Sequence, residues 1–136
     1  MRIVAPGLLC LLLTGCLQYY GPINDEGLGY RNIELSPFIY RVDFHFKAAS
    51  FFPLRREPRS EELVLLRSAD LARENGYRYF IVDTTALPGE SFGKRSLIIK
   101  VFHESPNAED IKVYDASEIS RELRVRHTYL TESATQ

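Results

Sequence analysis

Apolar and polar residues alternate strictly over residues 40–47, and this pattern predicts a β-strand. The apolar positions are Tyr40, Val42, Phe44 and Phe46, and the polar positions are Arg41, Asp43, His45 and Lys47. Because successive side chains of a strand point to opposite faces, we expect one buried face and one solvent-exposed face.

The pattern changes to a helical period over residues 60–74. Ser60 stands where an N-cap is expected, two glutamates follow it, and Asn75-Gly76 is a typical helix stop. The apolar face is centred on Leu65, Ala69 and Ala72, and the charged face holds Arg67, Asp70, Arg73 and Glu74. We expect the apolar face to pack on a sheet and the charged face to be a solvated surface with salt bridges.

Three further apolar segments predict strands after the helix, at residues 77–82, 97–102 and 111–114. The first is apolar at nearly every position, which indicates a central strand, and the second is expected to pair with it. Between these two, residues 84–95 contain proline and glycine and predict a loop.

The last part of the chain predicts a short helix and an edge strand. Asp115 to Glu118 have the spacing of a capping box, so we expect a helix from there to Leu123. Residues 124–130 alternate again, as an edge strand does, and residues 131–136 are expected to be a disordered tail. The elements together predict an α+β fold in the order β-α-β-β-β-α, with a single antiparallel or mixed sheet and one main amphipathic helix packed on one face.

The chain begins with a pattern of another kind, an apolar run that ends in Leu13-Thr14-Gly15-Cys16. The run is shorter than the ~20 residues that a membrane-spanning helix needs, and it fits the core of a signal peptide. Small residues before a cysteine are typical of a lipobox, so we expect signal cleavage between Gly15 and Cys16 and lipidation of Cys16. The alternative is an ordinary secretory signal in which Cys16 has no role.

These features predict a division of the chain. Residues 1–15 are expected to be a lipoprotein signal peptide, residues 16–36 the lipidated cysteine with a flexible tether rich in glycine, asparagine and proline, and residues 37–130 a globular α+β domain. Leu17 follows the cysteine where an aspartate would retain an enteric-type lipoprotein at the inner membrane. We therefore expect a location in the cell envelope, at the outer membrane and facing the periplasm.

Composition narrows the classes of partner. The net charge of −1 provides no surface for a polyanion, so we expect no nucleic-acid partner. Of the two cysteines, Cys10 leaves with the signal and Cys16 carries the lipid, so we expect no internal disulfide.

Several stretches resemble a small family of bacterial envelope lipoproteins first catalogued in Caulobacter. The resemblance rests on Gly29-Tyr30, Tyr40–Phe44, Leu65–Ala72, Asn75–Phe80 and Val113–Ala116. The chain differs from the family at Ser68 and Asp70, where members usually have alanine and glutamate. The resemblance implies an envelope lipoprotein and carries over no activity, cofactor or binding residue.

One stretch has the pattern of a catalytic nucleophile. Residues 89–93 spell Gly-x-Ser-x-Gly around Ser91, the nucleophile elbow of α/β-hydrolases. An elbow needs a strand before it and a helix after it, but here Pro88 precedes and a predicted strand follows. We therefore expect a chance match, and a small periplasmic serine hydrolase using Ser91 remains the alternative function.

Histidines and basic residues supply the other candidates. His45, His103 and His127 stand on separate segments without metal-ligand spacing, so we expect neither a metal nor a cofactor. Phe51, Phe52, Arg55, Arg56 and Arg59 are a possible partner surface; the alternative is a solvated turn whose phenylalanines reach the core. The function expected is a non-enzymatic binding or scaffolding protein, anchored to the membrane through Cys16 and acting on an envelope protein.

Overall fold

The computed structural model describes residues 18–46, 58–84, 93–127 and 130–132. Within these ranges the chain forms seven strands and two helices. In chain order they are β1 (Gln18–Tyr20), β2 (Gly29–Ser36), β3 (Ile39–His45), α1 (Pro58–Glu74), β4 (Tyr79–Val82), β5 (Lys94–Phe102), β6 (Val113–Asp115), α2 (Ala116–Arg126) and β7 (Leu130–Glu132).

Five of the strands form one antiparallel sheet in the order β2-β3-β5-β4-β6. Val42 of β3 pairs with Leu97 of β5, and Phe80 of β4 pairs with Val101 of β5, which fixes the side chains that share a face. β1 and β7 form a separate parallel pair. The α+β prediction, with one sheet and a main helix, is confirmed, as is the pairing of the strands that flank residues 84–93.

The core lies between this sheet and α1. Phe44, Phe80 and Ile99 from the sheet are fully buried, and so are Leu66 and Ala69 from the helix. Small side chains such as Ala69 let the helix lie close to the strands. α2 packs beside α1, so both helices belong to the same part of the fold.

The two helices begin differently from each other. α1 begins at Pro58, a residue that the first turn of a helix tolerates because its missing N–H needs no partner there. Ser60 is therefore inside the helix, and the prediction that it is the N-cap is wrong. Asp115 does cap α2, since its side chain accepts hydrogen bonds from the backbone N–H groups of Ser117 and Glu118.

The folded domain extends further toward both ends of the chain than predicted. The expected tether over residues 16–36 is wrong for residues 18–36, which include β1 and all of β2. Residues 124–126 continue α2 instead of forming an edge strand, and residues 130–132 form β7 where a disordered tail was expected from 131. The physical reason is pairing: β2 hydrogen-bonds along β3, and β7 along β1.

Candidate functional site

The face of the sheet opposite α1 forms a groove. Its floor consists of Ile39, Ile81 and Ile98, from three neighbouring strands. Lys100 pairs with both Ile39 and Ile81, and Arg41 pairs with Ile98, so these side chains share one face. The groove has a volume of about 410 Å³, within the range of roughly 300–1,000 Å³ that is usual for binding pockets. In the described part of the chain, no helix covers this face.

The lining of the groove also contains charged side chains. Lys100 lies on the floor between Ile39 and Ile81, and Lys112, Asp83 and Asp110 also line the groove. Ile111 lines the groove too and leaves 48% of its surface exposed. A surface that mixes apolar and charged groups is suited to a ligand that has apolar side chains between polar groups.

A carboxylate with several cationic neighbours lies on the same face as the groove. Asp43 is fully buried, although the alternation of its strand placed it on the solvent-exposed side. Arg41 Nε lies 2.9 Å from one oxygen of Asp43, and Arg31 and Lys94 lie 3.4 and 3.9 Å from the other. We call Asp43, Arg31, Arg41 and Lys94 the basic cluster, because three cations face one carboxylate.

Hydrogen bonds keep Asp43 ionised. Burial alone would raise its pKa, but hydrogen bonds from Ser96 and Arg41, with the positive charge of Lys94, lower the pKa below its ordinary value. Arg31 leaves 54% of its side chain exposed and Arg41 leaves 30%. The basic cluster therefore presents excess positive charge to solvent beside the groove.

His45 follows Asp43 on the same face, at the end of β3. Within the described residues its Nε2 is buried without a hydrogen-bond partner. Burial and the positive charge of Lys94 lower the pKa of His45, so the imidazole is neutral near pH 7. It adds no charge to the basic cluster under those conditions.

A second polar centre holds β1 against the two helices. The Tyr20 hydroxyl donates to Asp70 Oδ2 at 2.6 Å, and Ser120 Oγ donates to Asp70 Oδ1 at 2.8 Å. Arg124 donates to both oxygens of the same carboxylate at 2.8 Å. We call Tyr20, Asp70, Ser120 and Arg124 the N-terminal clasp, because they join β1 to α1 and α2.

Burial and charge stabilise the protonation states of the N-terminal clasp. Burial raises the pKa of Tyr20 well above its ordinary value, and the negative charge of Asp70 raises it further, so the hydroxyl remains a donor. Burial alone would raise the pKa of Asp70, but hydrogen bonds from Arg124, Tyr20 and Ser120 lower it below the ordinary value. The carboxylate is therefore ionised at neutral pH and fully hydrogen-bonded.

Arg67 makes a similar connection to β2. Its guanidinium lies 3.9 Å from the centre of the Tyr30 ring and donates to Asn32 Oδ1 at 3.1 Å. It also makes a two-point ion pair with Glu74, at 2.8 and 2.9 Å. Arg67 and Asp70 are 4% and 6% exposed, so the prediction of a solvated charged face on this helix is wrong for both residues.

Most predicted site residues lie outside the described part of the chain. This holds for Gly15, Cys16, Phe51, Phe52, Arg55, Arg56 and Ser91. Arg59 is described only as a backbone position in α1. Sequence reasoning missed the groove, the basic cluster and the N-terminal clasp. Ile39, Ile81 and Ile98 each come from a different strand, and no local signal in the sequence places them side by side.

The described histidines have separate surroundings. His127 contacts Glu62, and His103 lies against the Tyr77 ring with 4.5 Å between ring centres. Among the described residues no group of three or more metal-binding side chains occurs. No described helix is both long enough and apolar enough to cross a membrane.

Comparison with known proteins gives no relative for this chain. No family model matches it, and neither a curated protein nor a solved structure shows significant similarity. The resemblance to envelope lipoproteins therefore stays a prediction from the residues that carry it.

Proposed function

We propose that this protein is a lipid-anchored, non-enzymatic binding protein of the bacterial cell envelope. Its function is to hold a segment of a partner protein in the groove formed by Ile39, Ile81 and Ile98. The single observation that supports binding is this groove, on the sheet face opposite the two packed helices. The lipobox at Leu13–Cys16 supports the anchor.

Charge and shape together indicate what occupies the groove. The isoleucine floor favours apolar side chains, because each buried methylene contributes ~0.8 kcal/mol. The basic cluster beside it favours carboxylates at one end of the occupant, because Arg31 and Arg41 are partly exposed and outnumber their acidic partner. The occupant is therefore an extended protein segment with apolar side chains and one acidic end.

Photo-cross-linking in living cells tests this binding surface. A photoreactive amino acid replaces Ile111 in the groove in one strain and Val125 on the outer side of α2 in another; these residues are 48% and 72% exposed. We expect a defined adduct at position 111 alone, formed with an apolar segment that contains aspartate or glutamate. An absent adduct at position 111, or the same adduct at both positions, would overturn the proposed surface.

A pair of charge variants tests the contribution of the basic cluster. Arg31→Gln removes an exposed cation of the cluster, and Arg121→Gln removes an exposed cation from α2. The adduct at position 111 should decrease strongly in Arg31→Gln and stay constant in Arg121→Gln. Equal yields in both variants would contradict the acidic end of the occupant.

The anchor is tested separately by cell fractionation. The Cys16→Ala variant should lose membrane attachment or accumulate as an uncut precursor. Retention on the membrane at the wild-type level would contradict lipidation of Cys16. It would not affect the proposed binding in the groove, which the cross-linking experiment tests.

Activity profiling separates a binding protein from the hydrolase alternative. A serine-directed phosphonate should not label the protein. Labelling that disappears in Ser91→Ala would replace the binding function with hydrolysis.

A further inference from the structure

We infer that β1 seats the folded domain directly on the membrane, with one particular end of the sheet facing the lipid. The inference rests on the proposed lipidation of Cys16 and adds an orientation to it. It replaces the expected flexible tether with a short connection.

The connection between the anchor and the fold is short. Only Leu17 separates Cys16 from Gln18, the first residue of β1. Since an extended chain spans at most ~3.6 Å per residue, Cys16 lies within ~7 Å of Gln18 whatever path Leu17 takes. A lipid on Cys16 therefore keeps the start of β1 at the membrane surface.

β1 itself is held firmly by the domain. Tyr20 is 4% exposed, stacks on Phe44 with ring centres 6.0 Å apart, and belongs to the N-terminal clasp. Gln18 pairs with Leu130 of β7. Two residues beyond β1, Pro22 pairs in parallel with Tyr30 of β2. Release of β1 would expose a buried tyrosine and leave the Asp70 carboxylate with one donor fewer.

The direction of β1 identifies the end of the fold that faces the lipid. Pro22 runs parallel to β2 beside Tyr30, so the chain before Pro22 comes from the Gly29 end of β2, where the Tyr19 side chain lies close to Gly29. Gly29 pairs with His45, and His45 pairs with Lys94, so β3 ends and β5 begins at this end. We call it the anchor end.

The helices agree with this assignment. Arg95 of β5 donates to Ser60, in the first turn of α1. His127, directly after α2, contacts Glu62. The start of α1 and the end of α2 therefore both lie at the anchor end, and the turn between β2 and β3 lies at the opposite, distal end.

This orientation decides where a partner approaches. Ile39 is the first residue of β3, and Ile81 pairs with the same residue of β5, Lys100. Both therefore lie toward the distal end, while Lys94 of the basic cluster lies at the anchor end. The groove therefore lies on the side of the seated domain, toward its distal end, and an occupant that lies along the strands has its acidic end toward the lipid.

Fluorescence quenching on vesicles tests the seating. The full lipidated protein is reconstituted in phosphatidylethanolamine–phosphatidylglycerol vesicles that contain a headgroup quencher. A thiol-reactive dye is attached in separate variants at Val125→Cys, near the anchor end, or at Leu35→Cys, near the distal end. Both positions are exposed, at 72% and 51%, and lipidation occupies the thiol of Cys16, so each variant offers one reactive thiol.

We expect quenching at position 125 to be several times stronger than at position 35. In a matched control, a flexible 20-residue glycine–serine insertion after Leu17 should bring the ratio close to one, because such a chain spans roughly 25 Å. The insertion leaves β1 and the N-terminal clasp intact, so it changes only the distance to the lipid.

The possible failures are distinguishable. Equal quenching at both positions in membrane-bound protein without the insertion would overturn the seating and leave the anchor in place. Protein that does not bind to vesicles after processing in cells would overturn both the lipid anchor and the seating, while the groove would still be judged by cross-linking at position 111.

Discussion

The hydroxyl of Tyr20 donates a 2.6 Å hydrogen bond to Asp70 across fifty positions of the sequence. Tyr20 comes four residues after the proposed lipidation site, and Asp70 lies on the main helix. The bond therefore joins the segment nearest the anchor to the centre of the fold.

Replacing Tyr20 by phenylalanine should destabilise the protein. The ring packing remains, but the buried Asp70 carboxylate loses a donor, at a cost of ~1.5–3 kcal/mol for a hydrogen bond to a charged group. Urea unfolding measures the change, and Tyr30→Phe is the control, since no described residue hydrogen-bonds the Tyr30 hydroxyl. Equal losses in the two variants would show that the N-terminal clasp contributes little.

Acid should destabilise the fold partly through Asp70. The pKa of Asp70 is lowered in the folded state from an ordinary value of 3.8. Stability from this group is therefore complete above the unfolded pKa and is lost as pH falls through the folded value. Unfolding in urea at neutral pH and at the acid end of this window measures the loss, which should be smaller in Asp70→Asn than in wild type.

The exposed Asp25 provides the control for this pH dependence. The Asp25→Asn variant should lose as much stability in acid as the wild type. If Asp70→Asn also loses as much stability in acid as the wild type, the acid sensitivity comes from other carboxylates.

Two glycines with positive φ should respond differently to alanine. Gly29 has φ +117°, and an added Cβ would lie 2.3 Å from the Gly21 carbonyl oxygen, whereas at Gly27, with φ +76°, nothing lies within 4 Å. Gly27→Ala should cost about 1 kcal/mol from backbone conformation alone. Gly29→Ala should cost about 3 kcal/mol, because the steric overlap adds to that strain.

Chemical denaturation of both glycine variants measures this difference. Limited proteolysis near β1 should also accelerate in Gly29→Ala, because the added methyl group separates residues 21–22 from β2. Similar losses of stability in the two variants would contradict the close approach at Gly29.

Removing the Asp43 carboxylate should be costly. In Asp43→Ala, three cations lose their shared partner, and breaking such a buried arrangement typically costs ~3 kcal/mol or more. Thermal unfolding measures the change, and Glu109→Ala, on an exposed connection, is the control. Partial recovery in high salt is expected, because screening weakens the repulsion among the cations.

Local sequence patterns predicted the elements whose own residues show a clear periodicity or a capping signal. Alternation identified β3, and a capping aspartate identified the start of α2. β2 was missed because glycine, asparagine, glutamate and serine interrupt its apolar positions. Glycine, asparagine and serine are typical of turns and glutamate is uncommon in strands, and only the pairing with β3 overrides these preferences.

The charged side of α1 could not be interpreted from periodicity. Arg67 and Asp70 are charged, and helical spacing alone assigns charged residues to solvent. Asp70 is buried because Tyr20 of β1 and Arg124 of α2 contact it, and Arg67 is buried against β2. These elements lie far from α1 in the sequence. A single sequence contains no local signal for such distant contacts.

The parallel pair of β1 and β7 has a consequence for biogenesis. Gln18 pairs with Leu130, so among the described residues β1 gains its strand partner only when residues 130–132 have been made. Contacts this distant in sequence form late, because a long loop must close first. We therefore expect the pairing of β1 with β7 to be one of the last steps of folding, so that the start of β1 stays accessible until the end of the chain is in place.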